Sequence, residues 1–143
     1  MSDHEHEPPA APAAGSDAAA VLAANSVFYD AFERTDLEAM AELWERSARP
    51  ACTHPGWPRL DGWEAVMRSW AGLLGNGQHL QFILTGTRVE VMGDAAMVLV
   101  DENIVGEGVG GTVAAVNLFA RQDDRSWRMV GHHGCPVGRT AGA

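Results

Sequence analysis

Apolar side chains recur at helical spacing through the first half of the chain and alternate with polar ones through the second half. The first helical pattern follows Ser16, a residue that can cap a helix N-terminus, and it ends near Arg34. Its apolar positions are three or four residues apart on one face, namely Val21, Ala24, Phe28, Ala31 and Phe32. The pattern therefore predicts one amphipathic helix between Ser16 and Arg34.

Two further helices are predicted by capping motifs. Thr35-Asp36-Leu37-Glu38 matches a capping box, in which Thr35 would accept from the backbone and Glu38 would reach back to it. The helix that follows has an apolar face of Leu37, Met40, Ala41 and Trp44. Asp61-Gly62-Trp63-Glu64 opens a third helix in the same way, and Gly75-Asn76-Gly77 closes it. The apolar stripe of this third helix is Trp63, Val66, Met67, Trp70 and Leu74.

The remaining segments have strand character. After Pro50, residues 51–54 form a short extended piece that places Cys52 and His54 on the same side. Alternation begins again at Leu80, Phe82 and Leu84, and Gly93-Asp94 then makes a tight turn before the next strand. Residues 112–121 and 127–134 supply two more strands. We therefore expect an α+β fold, with three N-terminal helices packed on a curved, mostly antiparallel sheet that forms a cone-shaped pocket.

Length and charge narrow the choice of function. The 143 residues suit one domain, which we place at 16–137, with a disordered leader at 1–15 and a flexible tail at 138–143. A net charge of −9 disfavours a nucleic-acid partner, and no apolar run is long enough for a membrane span. The acidic N-terminus lacks the features of a secretory signal, so we expect a cytoplasmic protein with two reduced thiols.

The stretch from Cys52 to Ala65 concentrates residues that a generic core does not require. It holds one histidine, two prolines, two glycines and two tryptophans. His54 is either a base in the pocket or a buried histidine bonded to backbone, and these alternatives remain open. Trp57 lies between Gly56 and Pro58 in a loop, so it is a candidate for ligand contact at the pocket mouth.

Other polar residues lie within the predicted strands. His132 and His133 face opposite sides of the last strand; alternation from Trp127 favours His133 inward, and His132 is the alternative. Alternation also places Glu102 opposite its two neighbours, although any of these three residues could face solvent. Cysteine and histidine can bind zinc, but the spacings here are not those of standard zinc sites, and we expect no metal.

Five segments together resemble a known family, the SnoaL-like branch of the nuclear transport factor 2-like superfamily, over about residues 18–137. They are Phe28-Tyr29-Asp30-Ala31-Phe32, Thr35-Asp36-Leu37-Glu38-Ala39-Met40, His54-Pro55-Gly56-Trp57-Pro58, Gly62-Trp63-Glu64-Ala65-Val66 and Trp127-Arg128-Met129-Val130-Gly131-His132-His133. The resemblance implies a homodimer and a fold shared by isomerases, cyclases, dehydratases, binding modules and assembly domains.

The resemblance also implies roles for individual residues. Steroid isomerases of this superfamily have an Asp-Pro where His54-Pro55 stands, and a histidine can take over proton transfer there. Asn117 stands where those enzymes have an oxyanion-binding aspartic acid. Their first-helix tyrosine corresponds to Phe28, while Tyr29 is about 100° further round the helix and is expected to point elsewhere.

These observations lead to one functional hypothesis and one alternative. The chain would bind a small hydrophobic molecule and act, without a cofactor, as an isomerase, cyclase or dehydratase. His54, Asn117 and His133 would be catalytic, and the ligand-binding residues would be Tyr29, Trp57, Trp63, Trp70, Glu102 and His132. The alternative is a non-catalytic homodimer that serves ligand binding or protein association.

Overall fold

The computed structural model describes residues 11–106 and 108–138 and contains three helices. These are α1 (Asp17–Glu33), α2 (Leu37–Leu43) and α3 (Trp63–Leu74). Ser16 caps α1, because its hydroxyl accepts from the amide of Ala19 at 3.1 Å. Most of the predicted leader, and residues 139–143 of the predicted tail, lie outside the described residues.

The caps of α2 and α3 differ from the prediction. Asp36, not Thr35, caps α2, since its carboxylate accepts from the amide of Ala39 at 3.0 Å. Thr35 instead adopts a left-handed φ of 51°. Gly62 precedes α3 without any side-chain cap, and Asp61 is ion-paired with Arg59. Local motif matching was therefore right about where these helices begin but wrong about the capping contacts.

Six strands form one sheet. They are β1 (Ala51–Thr53), β2 (Leu60–Asp61), β3 (Gln81–Met92), β4 (Ala95–Gly106), β5 (Val109–Arg121) and β6 (Trp127–Pro136). Their order is β2-β1-β6-β5-β4-β3, and every pair is antiparallel except β1 with β6. The expected α+β class and the mostly antiparallel sheet are confirmed. The short β2 and the parallel pairing of β1 were not predicted.

Two irregularities bend the long strands. The β3–β4 pairing shifts between Thr85 and Arg88, where Gly86 has a φ of 64° that favours glycine. In β6, Gly131 pairs with Leu118 and Met129 with Phe119, which leaves Val130 as an extra residue. Such bulges increase local twist and curvature, and they change which side chains face inward.

The core lies between the helices and the concave face of the sheet. Phe28, Trp44, Trp70 and Phe119 are its largest fully buried side chains. The opposite, outer face carries apolar side chains that are only partly covered, including Leu118, which is 40% exposed. None of the described helices is long and apolar enough to cross a membrane.

Candidate functional site

Six polar side chains are buried where α1 crosses the concave face of the sheet and at the adjacent end of β1. They come from five elements or their ends: Asn25, Tyr29, His54, Glu102, Asn117 and His132. Each has at most 4% of its surface exposed. Buried polar groups are costly unless they are hydrogen-bonded, so the partners of these six residues define the chemistry of the site.

Tyr29 and Glu102 form one of the two shortest contacts of this cluster. The Tyr29 hydroxyl donates to Glu102 Oε2 at 2.6 Å. Burial raises the pKa of Glu102 to about 7, and the hydrogen bond from Tyr29 only partly offsets that rise. Burial and the nearby carboxylate likewise raise the pKa of Tyr29. Glu102 therefore changes protonation near neutral pH, while Tyr29 stays a hydrogen-bond donor.

Tyr29 points into the site, contrary to expectation. It is 3% exposed and lies beside Phe28, with the two ring centroids 4.8 Å apart. The reason is that the sheet curves around α1 and covers a broad arc of the helix, so two consecutive positions are both buried. A step of about 100° along the helix does not carry Tyr29 out of this arc.

Asn117 connects the two halves of the cluster. Its amide nitrogen donates to Asn25 Oδ1 at 2.8 Å and to the Tyr29 hydroxyl at 3.1 Å. Its carbonyl oxygen lies 2.6 Å from Nδ1 of His132. Both amide hydrogens and one acceptor position of Asn117 are thus already used within the protein.

His132 faces the interior and His133 does not. The extra residue Val130 shifts the alternation of β6 by one position, so that His132 pairs with Asn117 and His133 with Val116. His133 is exposed on the outer face, so of the two orientations left open by the sequence the structure has His132 inward. Burial lowers the pKa of His132 to about 3, with smaller effects from His54 and His133. His132 is therefore a neutral imidazole at physiological pH.

His54 lies at the end of β1, beside Cys52, as the short strand predicted. Its Nε2 is 2.9 Å from the hydroxyl of Ser69, which itself donates to the carbonyl of Val66 at 2.6 Å. Burial lowers the pKa of His54 to about 4. Both cysteines are free, and burial raises the pKa of the Cys52 thiol to about 12.

The three tryptophans expected to contact the ligand divide into two groups. Trp70 is fully buried against His54, with ring centroids 4.8 Å apart, and Trp57 meets the edge of the same imidazole at 5.0 Å while remaining 43% exposed. Trp63 lies away from the cluster. Its indole donates to the carbonyl of Ala41 at 3.3 Å, and the guanidinium of Arg46 stacks on its ring.

The six side chains of the cluster are each at most 4% exposed, and the pocket expected beside them stays a prediction. A shallow apolar groove of about 340 Å³ is lined in part by Ser69, the hydrogen-bond partner of His54. Its other lining residues are Trp57, Leu60, Ala65, Arg68 and Gly72. Within the described residues there is no group of three or more histidine, cysteine or acidic side chains arranged to hold a metal.

Two members of the site were missed by sequence reasoning. Asn25 lies one helical turn before Tyr29 and one after Val21, so its position on the apolar face of α1 was a usable signal. Ser69 precedes Trp70 on α3 and had no distinguishing signal. Glu102 was expected as a candidate from the sequence, without a prediction of which face of the sheet it is on. It is separated by an even number of residues from the buried Val98 and Val100, so alternation places it on the same inner face.

A model of the SnoaL-like domain family matches residues 21–137. A proposed dehydratase of the nuclear transport factor 2-like family from Streptomyces avermitilis is 40% identical, and the match covers 86% of this chain and 97% of that one with a TM-score of 0.80. No match was found among curated proteins.

Two further solved structures are similar. A proposed calcium/calmodulin-dependent protein kinase type II association domain from Thiobacillus denitrificans is 30% identical, with 82% and 94% of the two chains covered and a TM-score of 0.75. A proposed ketosteroid isomerase from Parabacteroides distasonis shares the fold at 16% identity, with 86% and 89% covered and a TM-score of 0.69. The chain therefore belongs to the SnoaL-like domain family within the nuclear transport factor 2-like superfamily.

Proposed function

We propose that the chain binds a small, largely apolar molecule at the buried polar cluster and catalyses a proton transfer without a cofactor. The observation that carries this proposal is the Tyr29–Glu102 pair, a buried carboxyl group with a pKa of about 7 that is bonded to a phenol at 2.6 Å. Within the described residues Glu102 has no cationic partner. A carboxyl group that titrates near neutral pH suits general acid–base catalysis.

The roles of individual residues differ from those expected from the sequence alone. His54 has its Nε2 engaged by Ser69 and a pKa of about 4, so it is a weak base. Glu102 takes the role of the proton-transfer group, and Tyr29, whose single hydroxyl hydrogen is donated to Glu102, holds that carboxyl group in position. Asn117 holds Tyr29 and His132 in position.

The Tyr29–Glu102 pair lies close to the protein surface, from which a ligand would enter. The ring of Phe82 is 5.6 Å from that of Tyr29, and Phe82 is only half-buried, so the rim of the cluster reaches the surface beside Tyr29. The proposed dehydratase activity of the relative from Streptomyces avermitilis fits this arrangement, because elimination of water needs one group to remove a proton and one to supply it.

The experiment is a turnover screen with small hydroxy and keto compounds, followed by a comparison of Glu102→Gln with Glu90→Gln. Glu90 is an exposed carboxylate on the neighbouring strand β3 and serves as the matched control. We expect Glu102→Gln to lower kcat by about 100-fold or more and Glu90→Gln to leave it unchanged. Full turnover by Glu102→Gln would overturn the assignment.

A homodimer formed through the outer face of the sheet is the second part of the proposal. Ile83 is 60% exposed and Leu118 is 40% exposed on this face, and a self-complementary apolar surface is typical of a twofold interface. The association-domain relative from Thiobacillus denitrificans supports the same reading. Such an association domain is the alternative function. We place the dimer in the cytoplasm, where both thiols would stay reduced.

A further inference from the structure

The indole N–H of Trp70 is a buried donor without a hydrogen-bond partner among residues 11–106 and 108–138. Trp70 is fully buried, and its Nε1 has no hydrogen-bond acceptor in the structure. A donor in this situation costs free energy unless something that accepts a hydrogen bond lies beside it. The rings that surround Trp70 include two imidazoles, those of His54 and His132.

The hydrogen-bond network fixes the tautomer of His132. Tyr29 donates to Glu102, so its oxygen accepts from the amide of Asn117, which must then present its carbonyl oxygen to His132. Nδ1 of His132 therefore carries the hydrogen and donates it to Asn117. Since the imidazole is neutral, Nε2 has a free lone pair.

The tautomer of His54 follows from the same kind of reasoning. The hydroxyl of Ser69 donates to the carbonyl of Val66, so its oxygen accepts from Nε2–H of His54. Nδ1 of His54 then has the free lone pair, and its one polar contact within the described part of the chain is the thiol sulfur of Cys52 at 3.9 Å. The cluster thus contains two acceptors that lack a strong donor, Nε2 of His132 and Nδ1 of His54, and one donor that lacks an acceptor, the indole N–H of Trp70.

We propose that Trp70, His54 and His132 together form a binding site for one oxygen atom that carries hydrogen, either the hydroxyl group of a ligand or a water molecule. This inference rests on the proposed function and specifies its ligand class. The ring centroids of His54 and His132 lie 4.8 and 6.1 Å from that of Trp70, and those of the two imidazoles lie 6.4 Å apart, so the three rings are neighbours. The proposed oxygen atom lies at hydrogen-bond distance from Nε1 of Trp70 and from a nitrogen of one imidazole. It accepts from the indole and donates to an imidazole.

The one donor and two acceptors of the site match a hydroxyl group better than a ketone or an ammonium group. A ketone oxygen can accept from Trp70 but has nothing to donate to the imidazoles, and an ammonium group can donate but not accept. A hydroxyl group does both. We therefore expect ligands of this protein to be alcohols or phenols whose hydroxyl group enters the cluster beside Trp70.

The test compares phenol with toluene, which has the same shape but a methyl group in place of the hydroxyl. Binding is measured by titration of the wild-type chain, Trp70→Phe and Trp44→Phe. Trp44 is the matched control, because it is also fully buried with an unpartnered Nε1 but has no imidazole contact. We expect phenol to bind about tenfold more tightly than toluene to wild type and Trp44→Phe, and with a clearly smaller preference to Trp70→Phe, which lacks the indole donor but keeps the imidazole acceptors.

A crystal structure of the full chain, free and with phenol, supplies the independent readout. We expect an oxygen at about 2.7–3.2 Å from Nε1 of Trp70. The site would be overturned if an aromatic face covered that nitrogen and no oxygen lay beside it. Equal affinity of wild type for phenol and toluene would also overturn the site, but it would leave the proposed function intact. An ordered water without binding of either compound would support the site and count against the proposed function.

Discussion

Glu102 is the residue on which the proposed chemistry depends. Its position on the inner face could be predicted from the alternation of β4, but its pKa could not, because burial and the bond from Tyr29 arise only when α1 crosses the sheet. The same holds for Tyr29, whose direction depends on how far the sheet wraps around the helix. His54 was found by position, yet its tautomer depends on Ser69 of another element.

The raised pKa of Glu102 predicts a pH-dependent stability. The folded-state pKa of about 7 exceeds the ordinary glutamate value of 4.5, so the contribution of Glu102 is fully present below about pH 4.5 and is lost as the pH rises through 7. We expect the free energy of unfolding of wild type, relative to Glu102→Gln, to fall by about 3 kcal/mol over this interval. Denaturant unfolding from pH 4.5 to 8 measures it.

Subtracting the free energy of unfolding of Glu102→Gln from that of wild type removes the contribution of the histidines, which both proteins share. His54 and His132 have lowered pKa values, so their contribution is present above about 6.5 and is lost as the pH falls, which opposes the trend from Glu102. A difference that does not change with pH would show that Glu102 titrates normally in the folded state.

Tyr29→Phe should raise the pKa of Glu102 further. The hydrogen bond from Tyr29 favours the ionised carboxylate, and phenylalanine removes it without opening much space. A carboxyl-carbon NMR titration of wild type and variant gives the direct comparison. A lower pKa in the variant would mean that solvent reaches Glu102 once the phenol is gone.

At the scale of elements, local patterns predicted more than distant contacts. The three helices and four long strands follow from spacing within the chain, and the structure confirms them. The parallel pairing of β1 with β6 joins segments about 80 residues apart, which no local pattern can reveal. The bulge at Val130 could not be predicted either. Valine and glycine are common in regular strands, so the sequence at this point does not show that one residue is unpaired.

Gly131 is the residue that lets the bulged strand pack closely. A Cβ atom placed on it would lie 3.0–3.2 Å from three carbons of the Leu118 side chain, one of them Cβ, so rotation of that side chain gives limited relief. We expect Gly131→Ala to lower the free energy of unfolding by about 1–3 kcal/mol. Denaturant unfolding is the measurement.

Gly72→Ala is the control for that prediction. Gly72 lies within α3, and a Cβ atom there would meet nothing within 4 Å. The same substitution should therefore stabilise the protein by about 0.5–1 kcal/mol, because alanine favours the helix. If both variants shifted stability in the same direction, the close approach at Gly131 would not be the cause.

At the scale of the whole molecule, the outer face of the sheet is an apolar surface that no other part of the described chain covers. We expect Leu118→Arg to convert the proposed dimer to a monomer, since a charge at the centre of an apolar interface is costly to bury. Sedimentation velocity of wild type and variant measures this. Val27→Arg, at an apolar position on α1 that is 44% exposed, should leave the dimer intact. A monomeric wild type would contradict the proposal.

The amide of Asn117 separates two groups that lie close together. An amide neither gains nor loses a proton at ordinary pH, so it can align Tyr29 and His132 but cannot pass a proton from one to the other. The carboxyl end of the cluster and its imidazole end can therefore hold different protonation states at the same time. A molecule bound between them would meet an exchangeable proton at one end and a fixed acceptor at the other.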